Sequence, residues 1–167
     1  MSDIYIALTA GAAAIAYAGF LIFKLMKLPT GDEKMVAISS AIEEGARAYL
    51  KRQYRTVLYV AIPLFFVIKL ITGSWNTALG FVFGAALSAL AGYIGMRISV
   101  RANVRTTEAA KTGMSQAFDV AVKAGTVTGL AVVGLGLLGV TIFYWTVKDG
   151  ADGLNAFAKD SAPLKNL

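Results

Sequence analysis

Residues 80–111 read GFVFGAALSALAGYIGMRISVRANVRTTEAAK, an apolar segment that runs without a breaker into a densely basic one. Gly80, Gly84, Ser88 and Gly92 recur at every fourth position, which on a helix places them on one face. Helices in lipid gain nothing hydrophobic by meeting, because acyl chains are as apolar as leucine. A strip of small residues instead lets a neighbouring backbone come close and collect dispersion contacts. Arg97, Arg101, Arg105 and Lys111 then mark where the segment leaves the bilayer. The stretch predicts a membrane helix that packs inside a bundle.

Composition points the same way. The 167 residues are 57% hydrophobic and only 16% charged, with a mean hydropathy of +0.64, whereas a soluble domain carries roughly a quarter charged residues. Cysteine and histidine are absent, which removes disulfides, thiolate chemistry and the commonest general base. The net charge of +6 does not indicate a nucleic-acid binder, because the basic residues alternate with apolar runs and are not collected in one domain.

The pattern predicts an all-α integral membrane chain with four spans, at about 4–26, 57–72, 77–98 and 119–147. Leu28-Pro29-Thr30-Gly31 ends the first, and Thr30 followed by Glu33 suggests a capping box for the next helix. Residues 32–56 read as an amphipathic helix in water, with Met35, Ile38, Ile42, Tyr49 and Gln53 on one side and Glu43, Glu44, Arg47, Lys51, Arg52 and Arg55 on the other. No breaker separates it from the second span, so one long helix is expected to project into the cytoplasm, with a kink at Pro63 and Lys69 snorkelling toward the surface. Gly73-Ser74-Trp75-Asn76 reads as a tight turn, residues 99–118 as a basic cytoplasmic loop, and 148–167 as a non-cytoplasmic tail. Gly125 and Gly129 in the fourth span, like Gly134, Gly136 and Gly139 after them, leave room for close packing. Arg47, Lys51, Arg52, Arg55, Arg101, Arg105 and Lys111 fall between spans one and two or three and four, and Arg97 stands at the last turn of span three on the same side. The positive-inside rule therefore puts both basic connections in the cytoplasm and both ends of the chain outside.

Two blocks carry a family resemblance. Ile42-Glu43-Glu44-Gly45-Ala46-Arg47-Ala48-Tyr49-Leu50-Lys51-Arg52-Gln53-Tyr54 and the run from Gly92 to Thr106 resemble, in order, the N-terminal quarter of the membrane-integral, ion-pumping inorganic pyrophosphatases. Ala124-Gly125 through Gly129 and Val133 through Gly139 are similar to that family's fourth span. The resemblance implies a homodimer with roughly sixteen spans, in which pyrophosphate is hydrolysed at a cytoplasmic Mg²⁺ site while H⁺ or Na⁺ is moved. It also implies that these four spans belong to the outer ring. The Asp-rich substrate motif and ion gate would begin with the fifth span, past residue 167. On that reading the chain is an N-terminal fragment with no catalytic, cofactor-binding or metal-binding residue of its own. Its partners are the lipid bilayer, the remaining helices of the pump and a second subunit.

The residues themselves leave plainer roles open. The glycine stripes read as packing surfaces and the arginine series as topology and headgroup contacts. Glu43 and Glu44, adjacent on a helix, diverge by about 100° and cannot converge on one metal ion, so they read as a solvated face. Asp119 and Lys123 read as a structural pair. A different class of function, a self-contained four-span channel or assembly subunit, predicts instead that the chain self-associates through Gly80, Gly84, Ser88 and Gly92.

Overall fold

The computed structural model describes residues 2–149, with side chains described from 4 to 147. Four helices make up the regular structure of these residues: α1 (Ser2–Met26), α2 (Glu33–Thr72), α3 (Trp75–Ala110) and α4 (Met114–Asp149). Each contains a window long and apolar enough to cross a membrane. Irregular backbone in lipid would leave N–H and C=O groups unsatisfied, so the connections are confined to the helix ends.

Those connections are shorter than the sequence suggests. The expected basic loop at 99–118 is a helical hairpin: α3 continues to Ala110, the chain turns, and α4 starts at Met114. Basic residues do not end a helix. Ile98 and Ala102 are drawn into a core with α1 and α4, which keeps α3 regular beyond its last apolar run. The turn before α3 is tighter still. Gly73 caps α2 at φ +70, a left-handed conformation that glycine adopts without steric cost. Ser74 then caps α3, so Trp75 and Asn76 are already helical. The capping box at Thr30 does not form either; Asp32 is the N-cap of α2 and accepts a hydrogen bond from Met35 N at 2.9 Å. Pro63 sits inside α2 without ending it. The expected tail at 148–167 lies outside the described side chains.

In space the order is α2, α3, α4, α1. Thus α1 packs chiefly on α4 and not on its sequence neighbour α2. Ala18, Leu21 and Leu25 of α1, Ile98 and Ala102 of α3, and Val120, Ala124 and Val127 of α4 form the buried core. It lies toward the basic end of the bundle.

Two glycine crossings let the backbones meet. A Cβ on Gly11 would fall 3.3 Å from the carbonyl oxygen of Gly134, and one on Gly134 would fall 3.2 Å from that of Gly11. On the other side of α4, a Cβ on Gly95 of α3 would lie 2.8 Å from Thr128 Cγ2. Of Gly134, Gly136 and Gly139, all read as leaving room for close packing, Gly134 and Gly139 have close neighbours and Gly136 has nothing within 4 Å of an added Cβ. Within the described helices Gly84, Ser88 and Gly92 of the stripe are exposed, and Gly125 and Gly129 have nothing within 4 Å of an added Cβ. Only Gly80 of that set is tightly met, by the ring of Phe143.

Gly134→Leu is therefore expected to lower the stability of the chain in detergent by about 1–3 kcal/mol, the usual cost of overpacking. Gly129→Leu should leave it nearly unchanged. Thermal unfolding followed by circular dichroism checks the contrast, and equal effects would contradict the crossing at Gly11 and Gly134.

Candidate functional site

Charge and burial coincide at the end of the bundle where α1 stops and α3 turns into α4. Arg105 is central there. Its guanidinium donates to the carbonyl of Arg101 at 2.6 Å and to that of Met26, the last residue of α1, at 3.3 Å. The final carbonyls of a helix lack intrahelical partners and carry partial negative charge, so a cation at that point satisfies both needs. Burial, with Arg101 adding to it, depresses the Arg105 pKa below its ordinary value; the group remains a cation at neutral pH.

Glu43 links α2 to α3. Its Oε1 accepts from Arg47 on its own helix at 2.7 Å and from Arg101 on α3 at 3.0 Å. It is therefore not a purely solvated residue, as the sequence suggested, but a bridge between helices. Arg47 first, then Arg101, holds its carboxyl below the ordinary value of 4.5. A second clasp joins the start of α2 to the end of α3: Lys111 pairs with Glu108 at 2.7 Å and with Asp32 at 3.3 Å. Asp32 is held below its ordinary 3.8, chiefly by the Met35 backbone N–H and then by Lys111. Gly31, at φ +82, lets the chain turn into this clasp, where a Cβ would come within 2.6 Å of Glu108 Oε2.

Of the residues expected to set topology, Arg101, Arg105 and Lys111 are thus drawn into inter-element contacts, and Arg47 pairs with Glu43 within α2. Arg97 donates to the Tyr93 hydroxyl at 2.7 Å. Lys51, Arg52 and Arg55 are exposed on α2. Asp119 and Lys123 form the expected pair, and Lys69 reaches forward to donate to the Gly73 carbonyl while lying 4.7 Å from the Trp75 ring centroid. Sequence reasoning missed Gly11, Gly95, the N-cap at Asp32, and Tyr54, whose hydroxyl donates to the Ala89 carbonyl at 2.7 Å. Only Asp32 had a readable signal, since Asp directly before Glu33 is a better cap than Thr two residues earlier.

Among the described residues no three acidic side chains gather as a possible metal site. Asp32, Glu43 and Glu108 are each paired with Lys or Arg. A Mg²⁺ ion seeks several oxygen ligands at octahedral geometry, and these residues do not fit one.

Toward the opposite end, α3 and α4 flank an apolar groove of about 810 Å³ lined by Gly80, Gly84, Ser88 and Gly92 on one side and Gly136 and Phe143 on the other. The small-residue face predicted from the sequence is therefore present and, among the described residues, largely open: α4 meets it at Gly80 through Phe143 and α2 only touches Gly92 through Tyr54. Four membrane-spanning helices, an ion-paired basic end and an open small-residue face define a multi-span membrane protein.

The chain belongs to the family described as inorganic H⁺ pyrophosphatase, which it matches over residues 12–162. It is 45% identical over 142 residues to the K(+)-insensitive pyrophosphate-energized proton pump of Methanosarcina mazei, covering 84% of this chain and 21% of that protein. A similar pump of Moorella thermoacetica, its proton pump 2, is 42% identical over 81% of this chain and 20% of its own length. The K(+)-stimulated pyrophosphate-energized sodium pump of Thermotoga maritima is 38% identical over 78% of this chain and 18% of its own. The chain thus spans about a fifth of the length of the curated relatives it matches.

Both Glu43 and Asp32 have folded-state pKa values below their ordinary ones, so their contribution to stability is present at neutral pH. It is lost as the pH falls below about 4.5 and through the folded values. Melting temperature in detergent is expected to be flat near neutrality, where the chain has no histidine to titrate, and to drop on the acid side. Glu43→Gln should flatten that acid arm; a wild-type slope in the variant would remove Glu43 from the account.

Proposed function

We propose that this chain is the N-terminal scaffold of a membrane pump that couples pyrophosphate hydrolysis to the transport of H⁺ or Na⁺. The observation that carries the reading is the family match over residues 12–162, combined with relatives whose names specify pyrophosphate as the energy source and a proton or sodium ion as cargo. On this reading the chain's four helices supply structure and orientation. Substrate, Mg²⁺ and the ion path belong to the other four fifths of the protein, and the assembled pump is a homodimer in the cell membrane.

The roles of this chain's own residues follow from the geometry. The helices left to add would cover the groove lined by Gly80, Gly84, Ser88 and Gly92, where the absence of large side chains permits close backbone approach. The basic end, with Arg47, Arg97, Arg101 and Arg105, faces the cytoplasm, because short connections rich in Lys and Arg are retained on that side. Both ends of this segment then lie outside. The clasps through Glu43 and Lys111 hold α2 and α3 at a fixed height relative to each other.

Replacing the matching fifth of the Methanosarcina mazei pump by this chain tests the proposal. The chimera is expected to hydrolyse pyrophosphate and to acidify inverted vesicles, whereas the 167-residue chain alone releases no phosphate. A chimera that inserts and assembles but neither hydrolyses pyrophosphate nor transports ions would overturn it. Orientation has its own test. Arg52→Cys, at an exposed position, should stay unreactive toward an impermeant thiol reagent added outside intact cells and react once the membrane is opened; labelling from outside would reverse the topology.

A further inference from the structure

About 33 Å of helix separates Trp75 from Arg97, close to the roughly 30 Å hydrocarbon thickness of a bilayer. With Trp75 at one polar boundary, Arg97 reaches the other. At that height α2 and α3 enclose a cleft of about 200 Å³ lined by Glu43, Arg47, Leu50, Tyr93, Met96 and Arg97 among others. Its floor is apolar, from Leu50 and Met96, and its rim is cationic.

The charges at the rim do not balance. One carboxylate, Glu43, answers both Arg47 and Arg101. Arg97 is held in another way: its guanidinium donates to the Tyr93 hydroxyl at 2.7 Å, and its central carbon lies 5.8 Å from the Tyr93 ring centroid. A neutral phenol fixes the direction of the guanidinium without cancelling its charge. Two cations that line the cleft, Arg47 and Arg97, thus share it with one anion, Glu43, which Arg101 engages as well, at the depth of lipid phosphates. No residue of α2 is buried within the chain, so the cleft opens along its flank.

We propose that this cleft is a binding site for the phosphodiester of an acidic phospholipid, with Arg47 and Arg97 as donors and the acyl chains running along the α2–α3 seam past Leu58 and Leu90. Guanidinium groups match phosphate oxygens in planar, two-pronged geometry, and basic pockets between spans are where acidic headgroups gather. Leu58 and Leu90, 57% and 46% exposed, offer the lipid-facing surface that the tails require. Free pyrophosphate presents the same phosphate chemistry, but it has no complement for the apolar floor. Phospholipid satisfies both halves of the cleft.

The test uses the 167-residue chain in nanodiscs made from equal parts of phosphatidylglycerol and phosphatidylcholine. Lipid that stays bound after mild detergent extraction is counted by native mass spectrometry. Phosphatidylglycerol is expected to be retained preferentially. Arg97→Gln should cut the preference about five-fold, which corresponds to the roughly 1 kcal/mol that one basic residue contributes near an acidic surface. Arg52→Gln, on α2 but outside the cleft, should not. Tyr93→Phe keeps every charge yet frees Arg97 from its anchor, so it should also weaken retention. Equal losses in Arg97→Gln and Arg52→Gln would mean diffuse surface attraction and overturn the proposal. So would unchanged retention in both Arg97→Gln and Tyr93→Phe, or displacement of the lipid by millimolar pyrophosphate. None of these readouts involves hydrolysis, so their failure is separable from failure of the pump assignment.

Discussion

Helices in a bilayer cannot be driven together by hiding apolar surface, since lipid is as apolar as they are. What remains is contact, and contact improves steeply with approach. The described bundle depends on this at two places on α4. Gly134 meets Gly11 of α1 nearly backbone to backbone, and Thr128 fills the space that Gly95 leaves on α3. Once these crossings hold α1, α3 and α4 together, Leu25 and Val127 become fully buried. The same geometry leaves α2 attached along α3 alone among its major contacts.

That weak attachment gives the basic end its second role. Residues that orient a membrane protein need only be cationic and on the correct side. Here several of them also carry structure. Arg105 closes the exposed carbonyl end of α1, Arg101 reaches Glu43 across to α2, and Lys111 ties the beginning of α2 to the end of α3. Each contact joins elements that burial alone leaves loosely connected. Individual exposed ion pairs are weak, yet several at one end fix the height of α2 against α3 because a helix is rigid along its length.

Much of the fold was legible because lipid restricts the options. Runs near twenty apolar residues predict spans, and their number and order hold in the structure. The misreadings share a cause. Residues 99–118 read as a loop because they are polar, but backbone hydrogen bonds and the burial of Ile98 and Ala102 keep them helical. The first half of α2 reads as an amphipathic helix in water; Ile38, Ile42 and Tyr49 on its apolar side are exposed, and Leu50 and Tyr54 are the residues that meet α3. Periodicity gives a stripe, not its partner.

Composition, apolar run length and the placement of arginine and lysine were enough to determine a four-span helical membrane chain, since each is a property of local sequence, while the family was legible only through the resemblance of the blocks at residues 42–54 and 92–106. Which glycines admit a neighbour could not be read that way: Gly80, Gly84, Ser88 and Gly92 have the regular spacing, while Gly11 and Gly95, with no such signature, lie at the crossings. Nor could the division of labour among the arginines. Close approach and ion pairing depend on the distance between segments far apart in the chain, and only the packing of α1 and α3 onto α4 sets those distances.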